Sequence, residues 1–104
     1  MTNEPISEQY RIRALEWVEA DSAANLLEES KSAVMAQRMA GCGDIPVSKA
    51  EMFVKASQSW RDYLEAMVNA RTKANKLKVE VDYLKMKYFE EQGTNANRRA
   101  EMRL

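Results

Sequence analysis

The sequence contains no histidine, one cysteine, two prolines and three glycines among its 104 residues. Without histidine, the usual Cys/His zinc sites are excluded, and so are a histidine general base and a Ser-His-Asp arrangement. A lone Cys42 cannot form an internal disulfide, and it fits a reducing compartment. No apolar run approaches the ~20 residues that cross a bilayer, so no membrane contact is expected. The opening MTNEPISEQYR is acidic and has no apolar centre, so no secretory leader is expected there and the expected location is cytoplasmic. Net charge is absent as well, with 16 basic and 16 acidic side chains. A chain that lives by coating phosphates is usually basic overall, which counts against that role.

The few helix breakers are clustered. Gly41, Gly43 and Pro46 lie together, while Pro5 and Gly93 lie near the ends. The stretches between are rich in Ala, Glu, Lys, Met and Leu, which are good helix formers. The expected architecture is all-α and a single domain: helix one over about 6–40, a loop over about 41–48, helix two over about 49–92 and a tail over 93–104. Asn3 or Ser7 is the expected cap of helix one. Gly41 or Gly43 supplies the left-handed residue that ends it. Ser48 and Glu51 have capping-box spacing at the start of helix two, with Val47 and Met52 placed as a hydrophobic staple.

The strongest pattern lies in helix two. Phe53, Ala56, Trp60, Tyr63, Met67, Ala70, Ala74, Leu77, Val81, Leu84 and Tyr88 are spaced alternately three and four apart. A period of 3.5 sustained this long is the coiled-coil signature. A solitary helix of period 3.6 would drift ~20° per heptad from such a seam. With Ala74 at heptad position a, Arg71, Lys78 and Lys85 fall at e, and Lys73 and Lys87 at g. Long basic side chains at these positions cover a seam and meet acidic partners. Only Lys76, at c, stands apart. Helix one has a looser seam of Tyr10, Trp17, Ala20, Ala24, Leu27 and Val34, interrupted by Arg13 and Lys31. Leu15, Val18, Leu26 and Met35 widen its apolar face.

A short loop makes the two helices an antiparallel hairpin. Centring the turn near Asp44 sets Trp17 opposite Ala70, Ala20 opposite Met67, Ala24 opposite Tyr63, Leu27 opposite Trp60 and Val34 opposite Phe53. It brings Arg71 to Asp21 and Lys73 to Glu16. The halves are oppositely charged: residues 1–44 carry 4 basic and 8 acidic side chains, and residues 45–104 carry 12 and 8.

Two features are left over. Leu64, Val68, Val79, Tyr83 and Met86 form a second apolar stripe off the first seam. In this register Leu84, Tyr88 and Phe89 also lie beyond the start of helix one. Two helices cannot enclose a core, so both features point to self-association or to a protein partner. The expected assembly is a homodimer, or a higher oligomer, closing an antiparallel four-helix bundle with two-fold symmetry.

The stretch YLEAMVNARTKANKLKVEVDYLKMKYFEEQ followed by TNANRRAEMRL resembles the C-terminal part of small helical proteins encoded by tailed bacteriophages and prophages. The likeness covers about residues 60–104, carried by the Ala- and Lys-rich helix and the closing RRAEMRL. It implies a host-cytoplasm setting and an accessory or inhibitor role, acting on a host or phage protein. It transfers no functional residue.

Enzymatic activity is not expected: there is no glycine-rich phosphate loop and no nucleophile motif, and no cofactor is implied. The leading expectation is a protein-binding helical module using Leu64, Val68, Val79, Tyr83, Leu84, Met86, Tyr88 and Phe89. The alternative is a nucleic-acid-binding accessory, with phosphate contacts from Lys76, Lys85, Lys87, Arg98, Arg99 and Arg103. Cys42, between two glycines, reads as an exposed loop thiol.

Overall fold

A computed structural model describes residues 4–102. Among these the chain is all-α: α1 spans Ile6–Ala40, α2 Val47–Ala56 and α3 Gln58–Met102. α1 and α3 pack along each other as an antiparallel hairpin, and α2 sits at its closed end, touching both. The molecule measures 83 × 24 × 16 Å. A helix with side chains is about 10–12 Å across, so this is a layer two helices wide and one helix deep.

α1 starts without a side-chain cap, at Pro5. Proline's fixed φ suits this position, and its carbonyl accepts from the amides of Glu8 and Gln9, both at 3.0 Å. Ser7 therefore lies inside the helix, and Asn3 lies outside the described residues. Gly41 continues in right-handed geometry, and Gly43 makes the turn with φ 88°. Only glycine adopts that conformation without strain. The loop closes at Pro46, two residues earlier than the sequence implies, and Pro46 caps α2 through its carbonyl rather than through a side chain. The Ser48–Glu51 capping box does not form; Glu51 pairs instead with Lys55 at 2.8 Å. Val47 and Met52 are both exposed, so no staple joins them.

The expected single helix two is broken at Ser57. This residue is extended, with ψ 148°. Its hydroxyl donates to the Val54 carbonyl at 2.6 Å and accepts from the Trp60 amide at 3.2 Å. That second bond is an N-cap on α3, satisfying a donor the helix itself cannot. The break changes the phase of the seam. α2 turns Ala50 and Val54 inward, whereas Phe53, an expected seam residue, is 59 % exposed.

From Trp60 onward the seam is as the spacing implies. Trp60, Ala74 and Val81 are buried, and Tyr63, Met67, Ala70, Leu77 and Leu84 are half-buried. Ala20 and Ala24 are their buried counterparts on α1. The pairing register, however, is displaced by about one heptad. The Lys78 ammonium lies 4.8 Å above the Trp17 ring, where Ala70 was expected opposite Trp17. Arg13 pairs with Glu80 at 3.1 Å. The cause is α2. Counting from Asp44 assigns residues 49–57 to the seam, but these residues form a separate short helix. Pairing begins only where the end of α1 meets the start of α3, with Arg38 donating to the Ser59 hydroxyl at 3.0 Å.

This displacement corrects the overhang. Tyr88 and Phe89 line a groove with Ser7 and Tyr10, and Leu84 lies near Ile12. All three are therefore beside the first turns of α1, not beyond it. What projects is the last stretch of α3, residues 90–102. It stays helical through Gly93, so residues 93–102 of the expected tail continue α3.

Candidate interaction surface

The seam's charged border is built as the heptad assignment implies. Arg71 donates to Asp21 at 2.7 Å, to both Glu28 carboxylate oxygens at 2.8 Å and to the Asn25 side-chain oxygen at 2.5 Å. This two-pronged contact matches the planar guanidinium fork. Hydrogen bonding to Arg71 holds the Glu28 carboxyl below its usual range, and bonding to Glu28 and Asp21 fixes Arg71 firmly in its charged form. Lys78 pairs with Asp82 at 3.2 Å besides covering Trp17. Glu16, the expected partner of Lys73, is instead held by Arg13 at 2.8 Å.

At the closed end, the Trp60 and Tyr63 rings stack at 5.4 Å, with the Arg38 guanidinium 5.9 and 5.7 Å from them. The Tyr63 hydroxyl donates to the Leu27 carbonyl. Cys42 is half-buried rather than an exposed thiol, and its Sγ lies 3.5 Å from the Arg38 carbonyl.

The eight residues expected to meet a partner divide into three groups. Leu64 lines a shallow groove with Met35, Met39 and Trp60. Leu84 and Tyr88 belong to the seam and face α1, although Tyr88 is 38 % exposed. Val68, Val79, Tyr83, Met86 and Phe89 are the exposed group, with Val79 at 68 % and Met86 at 63 %.

Because α3 continues through Gly93, four of the exposed group, all but Tyr83, prove to be part of a longer stripe. Val68, Thr72, Asn75 and Val79 lead, alternately four and three apart, through Asp82 to Met86 and Phe89. The same alternation then runs on through Gly93, Ala96 and Ala100. Asp82 is its one charged member. At 3.6 residues per turn the stripe lies about 150° round the helix from the first seam, on the back of α3. α1 has a poorer back: Leu15, Val18 and Leu26 are exposed, but Glu19, Asn25 and Glu29 interrupt them.

The expected phosphate contacts are scattered. Lys76, Lys85, Lys87, Arg98 and Arg99 are all exposed, while Arg103 lies outside the described residues. Glu90, Glu91 and Glu101 are interspersed along the same end of α3. Among the described residues there is no cluster of three or more metal-ligating side chains, and no helix is long and apolar enough to cross a membrane. No family model, curated protein or solved structure matches the chain.

Proposed function

We propose that this chain is a non-enzymatic helical association module, one that binds a second copy of itself and, through the same kind of helical surface, another protein. The observation that carries this reading is surface area. A compact monomer of 11.9 kDa exposes about 5,900 Å² by the usual mass scaling. This chain exposes 8115 Å². The radius of gyration is 23.1 Å, against about 13 Å for a compact domain of this length. The surplus of roughly 2,000 Å² exceeds the ~800 Å² per partner that a standard interface buries. It includes large apolar side chains on α3 that no intrachain neighbour covers.

Sedimentation velocity at micromolar concentration tests the reading. A dimer or higher oligomer is expected, and Val79→Glu with Met86→Glu should convert it to monomer with helicity unchanged. A wild-type chain that sediments as monomer, and whose binding to no protein is altered by the double variant, refutes it.

A further inference from the structure

The two stripes of α3 end at different places. The seam facing α1 stops at Tyr88; the next positions of that phase are Glu91, Asn95 and Arg98, all polar. It stops where α1 begins, because Tyr88 lies beside Ser7 and Tyr10. The back stripe does not stop there. It continues through Phe89, Gly93, Ala96 and Ala100, some way past the last residue α1 can reach. A stripe that outruns the chain's own partner helix has its partner elsewhere.

We propose that two copies of this chain associate back to back through α3, antiparallel about a two-fold axis near Leu84. This inference rests on the self-association proposed above and specifies its surface. The register follows from size. In antiparallel heptad packing, members of alternate phase share a layer. An axis near Leu84 sets Val68 against Ala100 of the second copy, Thr72 against Ala96, Asn75 against Gly93, Val79 against Phe89 and, nearest the axis, Asp82 against Met86. In the outer layers Val68, Thr72 and Asn75 meet the small Ala100, Ala96 and Gly93, as close packing requires. It also accounts for Gly93, which has open space around it within its own chain. A glycine inside a helix is unfavourable unless another backbone or a bulky side chain must come close.

Charge is mixed in this register, with one favourable pair type and two like-charged approaches that need a neutralising neighbour. Lys76 falls beside Glu90 of the second copy, twice by symmetry, and Tyr83 meets Tyr83 at the axis. Lys85 approaches its own copy there, and the nearest carboxylate, Asp82, is already paired with Lys78 of its own chain. Arg71 comes near Arg99, but Asp21 and Glu28 already neutralise it.

The same geometry disfavours a square four-helix bundle. That arrangement needs a second apolar face about 90° from the first. Those faces carry Arg71, Lys78 and Lys85 on one side and Lys73, Glu80 and Lys87 on the other. The back-to-back assembly is instead a flat layer in the order α1, α3, α3, α1. Each projecting end, residues 90–102, lies along the first half of the other copy's stripe.

Cysteine pairing tests this in a Cys42→Ser background, alongside sedimentation. The double variant Val79→Cys, Phe89→Cys should form disulfide-linked dimers under mild oxidation, while each single variant should not. The two positions in one chain are about 15 Å apart along the helix, too far to bridge internally. Both are exposed, and circular dichroism confirms that the fold is kept. Linked dimers from Val79→Cys alone would show parallel pairing or an axis near Val79, and either would overturn the proposal. A sedimenting dimer that none of the variants links would also overturn it, while leaving self-association intact. A monomer would overturn both.

Discussion

Trp60 offers the sharpest test of the observed closed end. It is 4 % exposed, stacked on Tyr63 and close to Arg38. A buried indole of about 200 Å² contributes ~5 kcal/mol at about 25 cal/mol per Å². Truncation of Trp to Ala in a packed site costs about 3–5 kcal/mol. Trp60→Ala should fall toward the lower end, near 3, because α2, which touches both long helices at this end, is short and can settle inward. The whole chain, at typical values per residue, holds about 5–15 kcal/mol, so the loss is a large fraction. Urea unfolding followed at 222 nm measures it. With a slope of ~1–3 kcal/mol per molar, the midpoint should drop by roughly 1–3 M. Trp17 remains as a fluorescent reporter of the α1–α3 contact. Variants must be compared at one concentration, since self-association stabilises the folded state by mass action. Trp60→Phe, which keeps a stacking ring, should lose less than half as much. A midpoint shift below about 0.5 M with unchanged slope would show that Trp60 does not hold the closed end together.

Further outcomes follow from the same geometry. Ser57→Ala removes the α3 cap and should cost ~1 kcal/mol in the same urea experiment, with Ser57→Asp nearly neutral; equal loss in both would deny the capping role. Gly93→Ala should raise helicity at 222 nm, because a Cβ there meets nothing within 4 Å in its own chain, but should weaken the dimer in sedimentation, where Gly93 faces Asn75 of the second copy; an unweakened dimer would count against that register. Cysteines replacing Trp17 and Leu77 should bridge, whereas 17 with 70 should not; the reverse would restore the register counted from Asp44. The Glu28 carboxyl is held low by Arg71, and Glu8 by Arg11. Their contribution to stability is therefore present above the unfolded carboxyl pKa near ~4.3 and is lost as pH falls through the lower folded values. Melting temperature should drop between pH 5 and pH 3 in wild type and drop less in Arg71→Gln; identical acid sensitivity would discount the Arg71 network.

What could be read from the sequence was what depends on periodicity. Met67, Ala70, Ala74, Leu77, Val81 and Leu84 repeat every 3.5 residues, and only burial against another helix makes that pattern. Arg71 at an e position beside an acidic helix was legible for the same reason. Ser57 was not. In a helical stretch a serine normally reads as a solvent-facing residue, and its capping role appears only when its hydroxyl is seen accepting from the Trp60 amide. That one residue moves the pairing by a heptad, because it removes α2 from the seam. Phe53 and Ala56 continue the spacing, yet the extended backbone at Ser57 turns them outward. The end of α3 was missed for the opposite reason. Gly93 reads as a stop, so in the sequence the stripe reads as ending before Ala96 and Ala100, and the residues beyond it show no pattern.

The lysines of α3 lead to a prediction that separates protein association from phosphate binding. Six of the residues 71–88 are Lys or Arg, but the structure commits two of them. Arg71 is bound to Asp21 and Glu28, and Lys78 to Asp82 and the Trp17 face. Lys76, Lys85, Lys87, Arg98 and Arg99 remain exposed, interleaved with Glu90, Glu91 and Glu101. In the back-to-back assembly Lys76 is also paired, with Glu90 of the second copy. A phosphate backbone held by five such side chains would lose affinity with salt at a log–log slope of roughly −4 to −5 on duplex DNA. The three interleaved carboxylates should offset much of that attraction. Filter binding of duplex and single-stranded DNA between 50 and 200 mM salt therefore should show weak retention and a shallow slope. Strong retention with a steep slope, lost in Lys85→Gln with Lys87→Gln while sedimentation is unchanged, would make this end of α3 a nucleic-acid contact and the association surface secondary to it.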